Sequence, residues 1–429
     1  MGAFMIRGLV ALLAAALLGA VLVATCTGPA TSALILYVVG IKDLNGLFDS
    51  WTDPNRIRRI YSIKRVPGGG YLLSTSGDTG HARFSRLNEK LETVWSHEED
   101  KGDETTGAVF ITEAQDDGYW AGGAAWGKGT LNVPRTLANE YPYIMRLDSN
   151  GTPLWTKSIG SSNVRQSIEC GAKAPKGLVI VGWTDSDSQY KNEQGNAAHV
   201  LVPWIEMIAN DGTPIWQTTI PMDGGDLLSS SPDLEQACGN LVVFKDGTIA
   251  WAVSAIPRRL RNKDGKDYLD SNFPNFGFFA RRVLVEFDAN GAEIKRVHEN
   301  KANGGFLFDD DDGLLLVEHS SSGRAIRAIR YDRNLKILAR NTLTDSKLLS
   351  RLTAVIPDAG KGYFLAGCGE HSSESVVHID DDGATSSAGV GFGSCSYSME
   401  FASTVDPDGP ILLVPSDFKI VRFSLPRYQ

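Results

Sequence analysis

The chain has 429 residues, of which 42% are hydrophobic and 22% are charged, so it can bury a sizeable core and is not a disordered chain. Its formal net charge of -9 excludes general nucleic-acid binding, because contact with a phosphate backbone requires a basic surface. The 45 glycines, together with 9 tryptophans and 12 tyrosines among short apolar runs, favour many tight turns and an all-β chain.

The first elements along the chain predict export. One positive charge in residues 1–7 is followed by the uncharged run GLVALLAAALLGAVLVA at residues 8–24. This order is typical of a signal peptide, and the length of the run also allows an uncleaved anchor. VATC at Val23–Cys26 resembles a bacterial lipoprotein box, with Thr25 where Gly or Ala is usual. Residues 1–32 are therefore predicted to be a signal peptide or N-terminal membrane anchor of an extracytoplasmic protein, whether periplasmic, membrane-anchored or secreted.

The next stretch joins this segment to the folded domain. Residues 33–43 are predicted to be a connecting segment, although the apolar ALILYVVGI at Ala33–Ile41 also allows a strand or a contact with the membrane. LFDSW at Leu47–Trp51 is similar to the outer strand of the repeats that follow. We expect it to supply the last strand of the final repeat, because a ring closed in this way has no exposed sheet edge.

A repeated phrase runs through residues 44–429. YIMRLDSNGTPLW at Tyr143–Trp155 has a near copy, WIEMIANDGTPIW, at Trp204–Trp216, and weaker copies occur elsewhere. Each hairpin follows an apolar strand that opens at a turn glycine, and these glycines are Gly70, Gly118, Gly177, Gly247, Gly313, Gly362 and Gly409. Four short strands in units of about 40–50 residues predict one all-β domain, a β-propeller of seven four-stranded blades. We expect the tryptophan of the phrase to pack between blades.

Asp148, Gly151 and Trp155 carry the pattern Asp-x-x-Gly-x-x-x-Trp, which resembles the blade repeat of bacterial quinoprotein-type (PQQ-like) propellers. The resemblance covers residues 44–429, with the full motif in two or three blades, and it implies a repeat architecture rather than an active site. Quinoprotein dehydrogenases hold their cofactor with adjacent cysteines and a calcium site. This chain has no adjacent pair of cysteines, so no cofactor is predicted.

The candidate binding site is predicted on the face that carries the connections between the second and third strands and between successive blades, called here the top face. Function is concentrated on such loops. Long second-to-third connections are expected within Gly122–Tyr143, Thr184–His199 and Ile256–Arg282, in blades 2, 3 and 4. The candidate ligand-binding residues in them are Trp126, Arg258, Arg259, Arg261 and Tyr268. Guanidinium groups beside aromatic rings suit an anionic ligand or an acidic partner surface, and a solvated charged loop is the alternative.

Charged residues are also predicted near the start of the innermost strands, which line the central channel. They are Arg165, Glu169, Glu235 and Glu400. Mixed charges there would hold a cation or a polar substrate, or would only hydrate the channel wall. The seven histidines show no metal-ligand spacing, so no metal site is predicted.

Four cysteines remain beyond Cys26, an even number that suits an oxidising compartment. Cys368 is placed at the end of the second strand of blade 6, and Cys395 before the first strand of blade 7. Cys170 and Cys238 are placed in the first strands of blades 3 and 4. Each pair is a disulfide candidate, and buried thiols are the alternative.

These features predict an exported cell-envelope β-propeller that acts as a non-catalytic binding or scaffold module through the top-face loops of blades 2–4. Its partner would be a protein or an anionic small ligand, and its N-terminus would allow attachment to a membrane. The alternative is an enzyme with an active site in the channel mouth, acting on an anionic substrate. A purely structural domain is the third reading.

Overall fold

The computed structural model describes residues 37–43, 59–76, 81–99, 105–126, 140–159, 166–186, 200–220, 226–228, 240–257, 260–261, 267–268, 281–300, 302–310, 313–320, 325–345, 349, 351–358, 362–368, 374–379, 385–389, 400–401, 411–414 and 419–424. The chain divides into two compact units, residues 1–34 and 35–429, and every described residue belongs to the second. No helix within these ranges is long and apolar enough to cross a membrane. The apolar run at 8–24 lies outside them.

The regular elements of the described residues are β-strands. In chain order they are β1 (Tyr37–Asp43), β2 (Arg59–Arg65), β3 (Tyr71–Ser76), β4 (Ala82–Leu87), β5 (Thr93–Glu99), β6 (Thr105–Glu113), β7 (Tyr119–Trp126), β8 (Glu140–Leu147), β9 (Pro153–Ser158), β10 (Gln166–Ala174), β11 (Gly177–Ser186), β12 (Val200–Ala209), β13 (Pro214–Thr219), β14 (Asp226–Leu228), β15 (Leu241–Val243), β16 (Ile249–Pro257), β17 (Leu260–Arg261), β18 (Asp267–Tyr268), β19 (Arg281–Phe287), β20 (Glu293–Asn300), β21 (Ala302–Asp310), β22 (Gly313–Ser320), β23 (Ala325–Asp332), β24 (Ile337–Asp345), β25 (Arg351–Pro357), β26 (Tyr363–Cys368), β27 (Glu374–Ile379), β28 (Thr385–Gly389), β29 (Glu400–Phe401), β30 (Ile411–Val414) and β31 (Lys419–Ser424).

These strands form a single β-propeller. Antiparallel four-stranded sheets follow one another along the chain: β2–β5, β6–β9, β10–β13, β21–β24, β25–β28, and β29–β31 with β1. They are blades 1, 2, 3, 5, 6 and 7 of the predicted order. The first strands of blades 1, 2 and 3 lie side by side, and β29 adjoins both β25 and β2, so the ring of sheets closes on itself.

The sheet at the position of blade 4 departs from the prediction of seven four-stranded blades. Within the described residues six sheets have four strands, whereas this sheet has five. Its first strand is divided, because β14 pairs with the end of β16 (Asp226 opposite Pro257) and β15 pairs with its beginning (Val243 opposite Ile249). The propeller therefore has six regular blades rather than seven.

The N-terminal strand that closes the ring is not the predicted one. β1 pairs antiparallel with β31, with Tyr37 opposite Ser424 and Asp43 opposite Lys419. The strand thus lies within 33–43, the stretch predicted to be a connecting segment. The segment at Leu47–Trp51, which was expected to close the ring, lies outside the described residues. An N-terminal strand closes the ring, as predicted, but that strand is β1 and not the segment at Leu47–Trp51.

Aspartates shape the turns at the opposite end of the blades from the top face, called here the bottom face. The Asp148 carboxylate accepts hydrogen bonds from the backbone N–H groups of Asn150 at 2.9 Å and Thr152 at 2.8 Å. At Asp288, the equivalent bonds from Ala292 and Asn290 lower the pKa of the carboxyl. These bonds explain why the repeated phrase has an Asp three residues before its Gly.

The Gly and Trp of the phrase interlock neighbouring blades. Gly212 closes its turn with φ of 79°, in the left-handed region that favours glycine. A Cβ at this position would lie 2.8 Å from the Trp155 ring of the preceding blade. In the next pair, Trp216 lies against Gly291, and its indole Nε1 donates to the carbonyl of Ala289 at 3.3 Å. The prediction that these tryptophans pack between blades is confirmed.

The core lies between blades, because alternate residues of a strand face opposite neighbours. In β12, Ile205 and Met207 pack in a buried cluster with the strands of blade 4. Trp204 and Ile208 pack in another cluster with Trp120 of blade 2. A single blade would leave both of these faces in water, so the sheets are stable only as neighbours in the ring.

Glu206 is a carboxyl buried in one of these apolar interfaces. It lies between Trp204 and Ile208 on the face of β12 that is directed at blade 2. Met145 has the same position in the preceding repeat. Burial raises the pKa of Glu206 from 4.5 to about 7. The folded protein therefore binds a proton here more tightly than the unfolded chain does.

Substituting Glu206→Gln is expected to stabilise the protein at pH 8 and to have little effect at pH 4. Because the folded-state pKa is the higher one, the wild-type protein has its full stability below the unfolded value. It loses up to about 3 kcal/mol as the pH rises through the folded value. Urea denaturation at both pH values measures the difference. Glu89→Gln, at a carboxyl with 68% of its side chain exposed, is the control. An equal effect of Glu206→Gln at both pH values would contradict this prediction.

Candidate functional site

The candidate site begins at a β-bulge in the innermost strand of blade 3. Ile168 pairs with Gly182 and Cys170 pairs with Val181, so Glu169 is an extra residue that the ladder does not accommodate. Ile168 and Cys170 are buried, whereas Glu169 is half-buried. A bulge re-aims the side chain of its extra residue and is common beside functional sites.

The Glu169 carboxylate is held in place by its neighbours. The indole Nε1 of Trp183 donates to Glu169 Oε1 at 2.7 Å, and the Ser167 hydroxyl lies 3.4 Å from the same oxygen. Trp183 lies three residues before the top end of β11, and the long connection at residues 187–199 follows this strand. The side chain of Glu169, which was predicted to line the channel, is thus oriented by Trp183 and Ser167.

The same bulge recurs in the innermost strands of other blades. The extra residues are Tyr61 in β2, Val109 in β6 and Thr353 in β25. In blades 1, 2, 3 and 6 the innermost strand therefore has one such extra residue, and in blade 3 this residue is a glutamate. This common position was not visible in the sequence, because a bulge leaves no fixed spacing of polar residues.

The divided first strand of blade 4 adjoins β10, the strand that carries Glu169. β15 adjoins β10 of blade 3 on one side and β21 of blade 5 on the other. Residues 229–239, which join β14 to β15, lie outside the described residues and include Glu235 and Cys238. Both were predicted in the first strand of this blade, but the described parts of that strand are β14 and β15. The first strand of this blade is thus described in two pieces, β14 and β15, and the sequence did not predict this division.

The long connection of blade 4 contains a small hairpin. Leu260 pairs with Tyr268 and Arg261 pairs with Asp267, so β17 and β18 form a separate two-stranded sheet. The structure thereby brings together Arg261 and Tyr268, two residues that the sequence predicted for ligand binding. Arg258 and Arg259, which precede the hairpin, lie outside the described residues.

Arg282, directly after this connection, has its charge neutralised within the protein. Its side chain is fully buried, and it donates to Glu299 in β20 and to Glu318 in blade 5. The Tyr331 hydroxyl donates to Glu299 at 2.8 Å, and Arg340 lies 3.3 Å from the same carboxylate. Burial would lower the pKa of Arg282, but the Glu318 carboxylate, with Tyr331 and Glu299, raises it. This guanidinium joins blades 4 and 5 and is not presented to a ligand.

The remaining predicted residues are distributed around the ring. Trp126 ends β7 opposite Glu140, where the long connection of blade 2 starts, and Glu400 begins β29 opposite Leu413. Cys368 ends the second strand of blade 6, as predicted. Arg165 and Cys395 lie outside the described residues. No group of three or more His, Cys, Asp or Glu side chains in the described part of the chain is arranged to hold a metal ion.

Cys170 is disulfide-bonded. It is buried in the cluster shared by blades 3 and 4, and Leu241 at the start of β15 belongs to the same cluster. The covalent bond is therefore located beside Glu169, at the border between these two blades.

No family model matches the chain, and no curated protein matches it. Among solved structures, the β-propeller domain of the Trilobed protease from Pyrococcus furiosus is 11% identical over 86% of this chain and 96% of that chain, with a TM-score of 0.44. The WD40 domain from Toxoplasma gondii coronin is 11% identical over 93% of this chain and 90% of that chain, with a TM-score of 0.41. A protein of unknown function from Dyadobacter fermentans is 11% identical over 75% of this chain and 95% of that chain, with a TM-score of 0.45. At these identities the likeness concerns the fold alone.

Proposed function

We propose that the chain is an exported, non-catalytic binding or scaffold module whose top face, over blades 2–4, holds a protein partner or an anionic small ligand. The observation that carries this proposal is the difference between the two ends of these blades. Their third and fourth strands are joined at the bottom face by short turns, whereas the connections at residues 127–139, 187–199 and 258–280 all leave at the top. Loops of this length in a rigid scaffold are commonly functional.

The chemistry of the blade 4 connection supports an anionic ligand or an acidic partner surface. Arg261 and Tyr268 belong to one hairpin, and Arg258 and Arg259 directly precede it. Arg282 already has two carboxylate partners. The three arginines at and before the hairpin are therefore the ones we assign to the ligand, since guanidinium groups bind carboxylate, sulfate and phosphate in bidentate fashion.

We propose an extracytoplasmic location, which the disulfide at Cys170 supports because such bonds persist in oxidising compartments. Cys238 is its proposed partner. It precedes Leu241 by three residues, and Leu241 shares a buried cluster with Cys170. Cys368 and Cys395 remain the second proposed pair. Peptide mapping without reduction tests both pairings, and a Cys170 peptide linked to any cysteine other than Cys238 would refute the first.

Two finer features of the architecture are also proposed. The five-stranded sheet would act as an irregular seventh blade, and its support is that β15 adjoins both β10 and β21. The blades would be of the PQQ-like repeat type without a quinone site. The support for this is the interlock between Trp155 and Gly212, which gives the repeated Gly and Trp a packing role.

Replacing Arg258, Arg259 and Arg261 together with alanine is expected to lower the occupancy of the captured partner or ligand more than about tenfold. Each charge-assisted hydrogen bond contributes about 1.5–3 kcal/mol, and a tenfold change corresponds to about 1.4 kcal/mol. Native mass spectrometry of the protein purified from the envelope of its own host measures occupancy.

The control is an alanine triple at exposed cations of the bottom-face turns and strands, namely Lys90, Arg330 and Lys336. Equal losses in both triples would indicate non-specific electrostatics and would overturn the proposed site. An unchanged occupancy in the top-face triple would overturn it as well.

An enzyme acting on an anionic substrate in the channel mouth is the second candidate. The observation in its favour is the Glu169 carboxylate, oriented by Trp183 in the innermost strand of blade 3. The same top-face triple separates the two candidates. Loss of turnover of a co-purified small molecule would favour the enzyme, and loss of partner capture with unchanged small-molecule behaviour would favour the binding module.

A further inference from the structure

A row of exposed aliphatic side chains follows the outer strands of five consecutive sheets. In each outer strand the ladder has a bulge close to the bottom-face turn. The extra residues are Val94, Leu154, Ile215, Ile294 and Leu338, in β5, β9, β13, β20 and β24. Their exposed fractions are 60%, 59%, 43%, 56% and 62%. We call these five residues the apolar row.

The apolar row is more regular than ordinary surface exposure. Single exposed aliphatic residues are common and need no explanation. Here a bulge takes the residue out of the ladder at the same place in each repeat, and the chain uses a large apolar residue there every time. In blade 6 the described ladder between β27 and β28 has no such shift, since Ile379 pairs with Thr385 and His378 pairs with Ser386. An exposed apolar side chain thus recurs at the same place in five consecutive sheets.

The N-terminal part of the chain joins the propeller on this same face. The third strand of every blade ends at the bottom face, where the hairpin turns are located, and β31 is a third strand that ends at Ser424. Tyr37, the first residue of β1, pairs with Ser424. The chain therefore enters β1 from the bottom face, and residues 25–36 separate this point from the apolar run at 8–24 by at most about 45 Å.

We propose that the apolar row rests on a lipid bilayer, with residues 8–24 retained as the anchor and the top face directed away from the membrane. The inference rests on the proposed export of the chain. The bottom-face turns present both signs of charge, for example Glu89 beside Lys90, so apolar contact rather than attraction to anionic lipid would hold the surface. This orientation leaves the loops of blades 2–4 accessible to a partner.

The test uses the full chain reconstituted in phosphatidylcholine vesicles that contain lipids with a spin-label quencher in their acyl chains. An environment-sensitive fluorescent amino acid is encoded at Leu154 in one variant and at Ser158 in another. Both residues are exposed in β9, near its bottom and top ends respectively. We expect quenching at 154 to exceed quenching at 158 by at least about twofold, because interfacial apolar groups insert into the boundary of the acyl chains.

A second variant tests the row itself. It keeps the probe at 154 and replaces Val94, Ile215, Ile294 and Leu338 with serine. We expect its quenching to fall to the level of the 158 probe, while capture of the partner by the top-face arginines remains unchanged. Failure of the membrane contact and failure of the proposed top-face function are therefore distinguishable.

Three results would overturn the proposal. One is equal quenching at 154 and 158 in chains that remain bound to the vesicles. Another is shielding of the 154 probe that depends on protein concentration in the absence of lipid, which would indicate a second copy of the chain. The third is a mature mass that lacks residues 1–24 in protein recovered from its own host.

Discussion

Replacing Arg282 with leucine is expected to lower the free energy of unfolding by about 3–5 kcal/mol at pH 7. The Arg282 side chain is fully buried, and it neutralises Glu299 on the neighbouring strand and Glu318 in blade 5. Leucine fills much of the same volume but leaves the buried Glu318 carboxylate without the cation, whereas Glu299 keeps Arg340 and the Tyr331 hydroxyl as partners. The cost is that of uncompensated buried charge, and not simply of a lost contact.

Chemical denaturation at pH 7 and pH 4.5 measures this effect. A buried carboxyl without its cation takes up a proton readily, so the loss caused by Arg282→Leu should shrink at the lower pH. The triple variant Arg282→Leu, Glu299→Gln and Glu318→Gln should regain part of the lost stability. Arg83→Leu is the matched control, because Arg83 has the same register position opposite Glu98, which is 34% exposed. If the Arg83 and Arg282 variants lost the same stability, burial of the cluster would not be the cause.

Gly151→Ala is expected to destabilise the protein by about 2–4 kcal/mol through two separate terms. The φ of Gly151 is 79°, so any L-residue there is strained by roughly 1–2 kcal/mol. In addition, a Cβ at this position would overlap the Trp95 ring of the preceding blade, which is held against Tyr119 with 5.1 Å between ring centroids. The tryptophan would have to move away from the interface.

The two terms can be separated by a matched glycine. Gly68 has a φ of 90°, and a Cβ added there would have no atom within 4 Å. Gly68→Ala therefore reports the backbone strain alone. A double-mutant cycle with Trp95→Leu reports the overlap, since the extra cost of Gly151→Ala should disappear when the ring is absent. Equal costs for Gly68→Ala and Gly151→Ala would show that the interlock between blades contributes nothing.

The parts of the fold that follow from local chemistry were predictable from the sequence. Four of the strand-opening glycines lie where a Cβ would overlap a backbone carbonyl of the adjacent strand, namely Gly70, Gly118, Gly177 and Gly313. A Cβ at Gly118 would overlap the Arg146 guanidinium, which hydrogen-bonds the carbonyl of Tyr119 at 2.9 Å. The Asp, Gly and Trp of the repeated phrase likewise serve turns and contacts within one or two repeats. Because these contacts join residues that are close in the sequence or one repeat apart, the residue types recur at a fixed spacing that can be recognised in the sequence.

The features that the sequence did not predict depend on contacts distant along the chain. β14 has three residues, too few for an alternating pattern, so the divided strand of blade 4 could not be recognised. β1 is apolar along most of its length, like a segment next to a membrane, and only its pairing with β31 identifies it as a strand of the ring. The partners of Arg282 are on another strand and another blade. For the candidate site, Glu169 and the blade 4 arginines were predicted from their charge alone. It did not reveal the bulge that re-aims Glu169.

Closure of the ring by β1 determines the order in which the domain can be completed. Among the described strands β1 is made first and its partner β31 is made last, so β1 stays without its partner until nearly the whole domain has been synthesised. Such a long-range pairing is slow to form and leaves an open edge in the meantime. Shortening the chain before Lys419 would therefore remove more than a terminal strand, because β1 would then have no edge on which to add. β1 and β31 therefore form a single unit of assembly that is finished only after β31 has been made.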